Sequence, residues 1–155
     1  MASSGKNDFD FIIGKWNVLN KRLKERLVGS DEWIEFPATY EAWKLLGGLA
    51  NVDRIHVDDF DFDGASVRTF NPQNGTWTIY WMDSTHSALK KQVAGSFQGN
   101  IGTFVGEEMY HEKLVKLRFI WKALSHNEAR WEQAYYDEAR GEWETNWIME
   151  FTRAE

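Results

Sequence analysis

Long stretches of this chain alternate apolar and polar residues with a period of two. Trp77, Ile79 and Trp81 interleave with Thr76, Thr78 and Tyr80. Val115, Leu117, Phe119 and Trp121 interleave with Lys116, Arg118 and Lys122. Trp143, Thr145, Trp147, Met149 and Phe151 interleave with Glu144, Asn146, Glu150 and Thr152. Successive strand side chains point to opposite faces, so the pattern describes strands with one greasy face and one wet face, as in antiparallel sheets. Turn sequences punctuate the runs: NPQNG at 71–75, QGNIG at 98–102, SHNEA at 125–129 and DEARG at 137–141. The spacing predicts strands near 15–23, 33–43, 49–57, 65–71, 76–83, 91–97, 101–107, 113–123, 129–137 and 142–153, about ten in all. One short helix is expected at Phe9–Ile13, behind Asp8 as a cap.

Half-buried strands without a second layer of helices must hide their edges, and closing the sheet removes them. The expected fold is therefore all-β: an antiparallel up-and-down barrel in one domain, residues 1–155. A two-sheet sandwich has the same periodicity. A barrel of about eight to ten strands leaves room inside for a small ligand. Nine Trp, ten Phe and five Tyr in 155 residues call for a large packed interior or a lined cavity. With no cysteine, disulfides and thiolate metal sites are excluded. The formal charge of −6 and the scatter of basic residues argue against nucleic-acid binding. The start MASSGKND carries no apolar signal core, and no apolar run is long enough for a membrane-spanning helix, so a cytoplasmic protein without a membrane partner is expected. The cluster KRLKER at 21–26 reads as a solvated strand end or loop.

The stretch DDFDFDGASVRTF at 58–70 resembles the front half of a calcium loop, with Asp59, Asp61 and Asp63 alternating before Gly64. Counting from Asp59, however, the twelfth position is Phe70 rather than an acid, and neither flank is helical. A hairpin turn is the better reading, with Asp63-Gly64 supplying its positive φ. His56, His86, His111 and His126 fall on separate segments without metal-ligand spacing, so no metal is expected. LLGGLAN at 45–51 lacks a strand–turn–helix context for phosphate and reads as a bend or bulge entering the third strand.

Strand parity names a lumen. It contains Trp77, Trp81, Phe119, Trp121, Trp131, Gln133, Tyr135, Trp143, Thr145 and Trp147, with Asn51 and Asp53 from the third strand. Asn51, Gln133 and Thr145 are the natural groups to orient a ligand among the aromatic rings. Four residues are candidates for chemistry. Asp53 is the acid in the lumen set. Glu132 would become a useful acid if its register turned it inward among tryptophans, and otherwise forms a surface salt bridge. Arg68 would grip a carboxylate or phenolate if it lies inside. Tyr80 sits on the outer parity, one register step from the lumen.

The segment NDFDFIIGKW at 7–16 resembles the F-x-x-G-x-W opening of lipocalin-like, or calycin, barrels. In that family a Gly and a Trp close one end, and an Arg on the last strand packs over the Trp. Gly14, Trp16 and Arg153 match those positions. The pieces LLGGLANVD, VRTFNPQNGTWTIYWMD, LRFIW, RWEQAYYD and WETNWIMEFTR resemble an uncharacterised lipocalin-like family of domain-of-unknown-function proteins. That resemblance implies a calycin-type barrel but carries no reaction with it. The turn YYDEARG departs from the family's S-x-D-G-G pattern. Absence of His from the last two strands argues against a haem barrel such as nitrobindin.

Two functions follow as expectations. The first is a cofactor-free barrel that binds a small apolar or aromatic molecule, either alone or as a homodimer. The second is a cofactor-free isomerase, cyclase or lyase using the same cavity. An interaction protein using exposed aromatics such as Trp33 and Trp43 is a third reading.

Overall fold

A computed structural model describes residues 5–85 and 87–154. Ten antiparallel strands run in chain order around a closed barrel: β1 Gly14–Leu23, β2 Trp33–Leu45, β3 Ala50–Val57, β4 Phe62–Asn71, β5 Thr76–Asp83, β6 Lys90–Gln98, β7 Ile101–Tyr110, β8 Lys113–Ser125, β9 Glu128–Asp137 and β10 Glu142–Arg153. Each strand pairs with its chain neighbours, and β10 returns to pair with β1. The alternation that predicts the strands also sets the interior. Trp16, Val18, Phe36, Tyr40, Ile55, Leu117, Phe119 and Phe151 are all buried and cluster together. No helix among the described residues is long and apolar enough to cross a membrane.

One end of the barrel is sealed by the segment before β1. Instead of the expected helix over Phe9–Ile13, a single 3-10 turn forms at Asp10–Ile12. Asp8 does not cap it; its carboxylate accepts the Gly5 backbone N–H at 2.6 Å. A segment this short plugs the barrel by packing rather than by helical hydrogen bonding. Phe9 enters the interior and meets Trp77, Phe97, Phe104 and Trp121 with ring centroids 4.9–6.0 Å apart.

Arg153 ties this plug to the barrel. Its guanidinium lies 4.1 Å from the Trp16 ring centroid. It also donates to the Phe11 and Ile13 carbonyls at 3.0 Å and to the His126 carbonyl at 2.7 Å. The Trp16 indole N–H donates to the Ile12 carbonyl at 2.9 Å. Gly14 has φ +120°, and a Cβ there would stand 2.7 Å from Arg153 Nη1. Glycine is required here both for its backbone conformation and for the space the guanidinium occupies.

The acidic stretch forms the β3–β4 connection, with a 3-10 turn at Asp58–Phe60. The positive φ falls on Asp61, at 48°, rather than at the expected Asp63-Gly64. Gly64 lies within β4 and serves a different purpose. A Cβ on it would come within 2.2 Å of the Trp81 ring, so its bare backbone is what leaves room for that indole against β4. Asp63 and Asp58 engage His56 at 2.6 and 2.7 Å, and no metal-competent cluster exists among the described residues. LLGGLAN forms a 3-10 turn at Leu46–Gly48 leading into β3.

Two predictions follow from these contacts. Gly14→Ala should lower unfolding free energy by about 1–3 kcal/mol in a urea titration, because it combines backbone strain with a clash at the clamp. For His56, the hydrogen bonds its ring donates to Asp63 and then to Asp58 raise the imidazole pKa above its ordinary value. The folded state thus binds the proton more tightly than the unfolded chain. The resulting stability is fully present below the unfolded pKa and is lost as pH rises through the raised one. His56→Gln should remove that slope from midpoint-versus-pH measurements.

Candidate functional site

The opposite end of the barrel is open. A cavity of about 1060 Å³ runs inward from it, lined along its length by Trp81, Phe119, Trp121, Trp131, Tyr135 and Trp147. Pockets that hold small molecules span about 300–1,000 Å³, so the lumen is not filled by its own side chains and has room for a ligand of that class. Phe119–Trp131 and Trp131–Trp147 meet edge to face at 5.0 and 5.7 Å, giving a rigid aromatic wall.

A polar cluster is set into the wall toward the sealed end. β3 delivers Asn51 and Asp53 to the inside at two-residue spacing, and register places Asn51 opposite Arg68 and Asp53 opposite Ser66 on β4. Arg68 is 1 % exposed. Its Nε donates to Asn51 Oδ1 at 2.6 Å, and its Nη2 donates to Asp53 Oδ2 at 2.8 Å and to the Tyr40 hydroxyl at 3.0 Å. Tyr40 in turn donates to Asp53 Oδ2. The other Asp53 oxygen accepts the Ser66 backbone N–H at 2.7 Å. The guanidinium also lies over Phe9 and Trp121, 4.9 and 5.5 Å from their centroids. A buried charge is tolerated only when paired and hydrogen-bonded, and this cluster meets both conditions. Burial pushes the Tyr40 phenol well above its usual range. For Arg68 burial acts in the opposite sense, but the Tyr40 and Asp53 oxygens outweigh it and the guanidinium is held above its ordinary range.

A second polar group lies on the facing wall. The pairing of β9 with β10 shifts register between Thr145 and Trp147. This bulge inverts the parity of β10 on its Trp143 side. Trp143, expected in the lumen, packs outside against Tyr136 and under Arg118. Thr145, expected to orient a ligand, stands opposite Ala134 and does not line the cavity. Asn146 points inward instead, fully buried, and accepts Gln133 Nε2 at 2.9 Å.

The structure brings Asp53, Arg68, Trp81, Phe119, Trp121, Trp131, Gln133, Tyr135 and Trp147 together around one cavity. Asn51 is buried, accepts from Arg68 Nε and does not itself line the cavity. Trp77 sits in the sealed end, where its indole N–H donates to the Gly5 carbonyl at 3.3 Å. Glu132 takes part in an ion pair with Arg130 at 3.3 Å and does not line the cavity. Tyr80 lies between the inward Ile79 and Trp81 and faces outward. His56 and His111 are also outside the cavity, and His86 lies outside the described residues.

Sequence reasoning missed three residues. Tyr40 carries the inward parity of Phe36, Ala38 and Ala42, a signal present in FPATYEA. Arg22 shares the even-numbered parity of Trp16, Val18 and Asn20 but is exposed; it stands opposite Trp147 and reaches the mouth with its guanidinium 4.9 Å from that ring's centroid. Arg26, in the loop after β1, has no periodic signal; its guanidinium lies 5.1 Å from the Tyr135 centroid. The cluster expected to be a solvated strand end or loop thus sends two cations over the cavity.

The chain superposes on the crystal structure of Rv2717c from M. tuberculosis with a TM-score of 0.65, covering 99% of this chain and 100% of that one at 8% sequence identity. At that identity the likeness shows the barrel fold alone. No protein-family model and no curated protein matches the chain.

Asp53→Asn should cost about 3–5 kcal/mol of stability, since it leaves the Arg68 charge buried without its counter-charge. Paired replacement, Asp53→Leu with Arg68→Met, should cost much less. Urea unfolding of both variants measures the difference.

Proposed function

We propose that this protein is a lipocalin-like, single-domain barrel that binds a small apolar or aromatic molecule in its lumen. The observation that carries this reading is the aromatic-walled cavity of about 1060 Å³, open at one end and plugged at the other. Flat rings along the wall offer stacking and edge contacts to a planar or aliphatic body. Gln133 and the Arg68 cluster supply the few polar groups that such sites use to orient a ligand.

Binding stands ahead of catalysis because none of the three groups expected to act as acid or base, Asp53, Glu132 and Tyr80, stands free in the lumen. Both Asp53 oxygens are already engaged by Arg68, Tyr40 and Ser66. Glu132 and Tyr80 face away from the cavity. A cofactor-free isomerase, cyclase or lyase would need one of these groups released.

Native mass spectrometry on protein purified gently from its own host tests the proposal. A stoichiometric extra mass that disappears on denaturation is the expected result. A bare chain mass, together with no quenching of tryptophan fluorescence by small aromatic probes, would overturn it.

A further inference from the structure

The cavity has a charge opposite to that of the chain. Six basic and four acidic side chains line it, although the whole sequence carries a formal charge of −6. One basic residue, Arg68, is neutralised by Asp53. Lys24 is paired as well, with Glu32, which leaves Arg22, Arg26, Lys90 and Lys91 against Asp83, Glu107 and Glu108. Of these cations, Arg22 and Arg26 extend over Trp147 and Tyr135 at the mouth.

Neither mouth arginine has an ion-pair partner among the described residues. Arg22 makes no hydrogen bond to them either. Arg26 Nη1 donates to the Tyr135 hydroxyl at 2.9 Å, but its Nη2 is buried with no partner. A buried N–H without an acceptor is costly, so it marks a place where an acceptor belongs. The nearby acids do not fill it. Glu108 accepts from the Tyr135 hydroxyl and from Gln92 Nε2, and Glu144 accepts the Leu27 backbone N–H at 2.7 Å. Desolvation, and then the neighbouring charge of Arg26, lower the Arg22 pKa from its ordinary value.

We infer that the ligand is an amphipathic organic anion, its apolar body lying among the lumen aromatics and its oxyanion head, a carboxylate or sulfonate, held at the mouth by Arg22 and Arg26. This inference rests on the binding reading above and adds the chemical class. Guanidinium groups are suited to the role because their N–H fork matches the spacing of carboxylate-type oxygens. The Trp147 and Tyr135 ring faces against the same groups help hold them in place, and only Arg26 Nη1 is taken, by the Tyr135 hydroxyl. The head stays at the rim, where it keeps contact with water, and only the apolar body is desolvated.

Two fluorescent probes with the same anilinonaphthalene body test this directly. 1-Anilinonaphthalene-8-sulfonate carries the anionic head, and N-phenyl-1-naphthylamine lacks it. The expected result is that the sulfonate binds at least about tenfold tighter at low salt, with the advantage shrinking as ionic strength rises. Arg22→Gln and Arg26→Gln together should weaken the sulfonate about tenfold more than the neutral probe. Retained binding of the neutral probe shows that the variant barrel is intact. Equal affinity of the two probes for the unmodified protein would overturn the anion inference and leave the cavity reading standing. Binding of neither probe would overturn both.

Discussion

Pairing of β1 with β10 is the interaction on which the rest of this structure depends. It turns an open sheet with two unsatisfied edges into a barrel with none. Its register sets Trp16 opposite Arg153 at one end and Arg22 opposite Trp147 at the other. Each end of the seam thus has an arginine over a tryptophan, with the donor strand exchanged. At the sealed end the arginine spends its hydrogen bonds on backbone carbonyls and fixes the plug. At the open end Arg22 makes no such hydrogen bonds among the described residues, and the cation is left at the mouth. The same pairing geometry yields a structural clamp in one place and a candidate recognition group in the other.

The plug and the polar cluster depend on each other. Phe9 packs against the sealed-end aromatics and also lies under the Arg68 guanidinium. Without the plug, Arg68 and Asp53 would meet water from below, and their pairing would weaken as the dielectric rose. Without the paired Arg68, the ring would face an unneutralised charge. A floor that is apolar beneath and polar above follows from this arrangement, and it sets the depth of the cavity.

Much of the fold was legible in the sequence. Runs such as Val115–Trp121 and Thr76–Trp81 alternate cleanly, so their strands and inward faces could be read from period alone. The Gly14, Trp16 and Arg153 closure was legible through family resemblance. Legibility failed where local backbone geometry departs from the ideal pleat. A bulge in β10 inverts parity between Thr145 and Trp147, which puts Trp143 outside and Asn146 inside. Apolar residues on both sides of the bulge conceal it. Gly64 reads as a turn glycine next to three aspartates, but its requirement comes from Trp81 on the neighbouring strand, a contact across the sheet.

By itself, the sequence determined an antiparallel all-β chain with an aromatic interior, because a two-residue period is a local property of each strand. It also determined which residues of β3, β8 and β9 face inward. Only the tertiary structure decided that the sheet closes around an open lumen and that Arg68 is buried in partnership with Asp53, Tyr40 and Asn51. Tertiary structure also turned two arginines of a polar-looking cluster over the mouth. These outcomes depend on register and closure, which bring together side chains from strands far apart in the chain, and no local pattern encodes that juxtaposition.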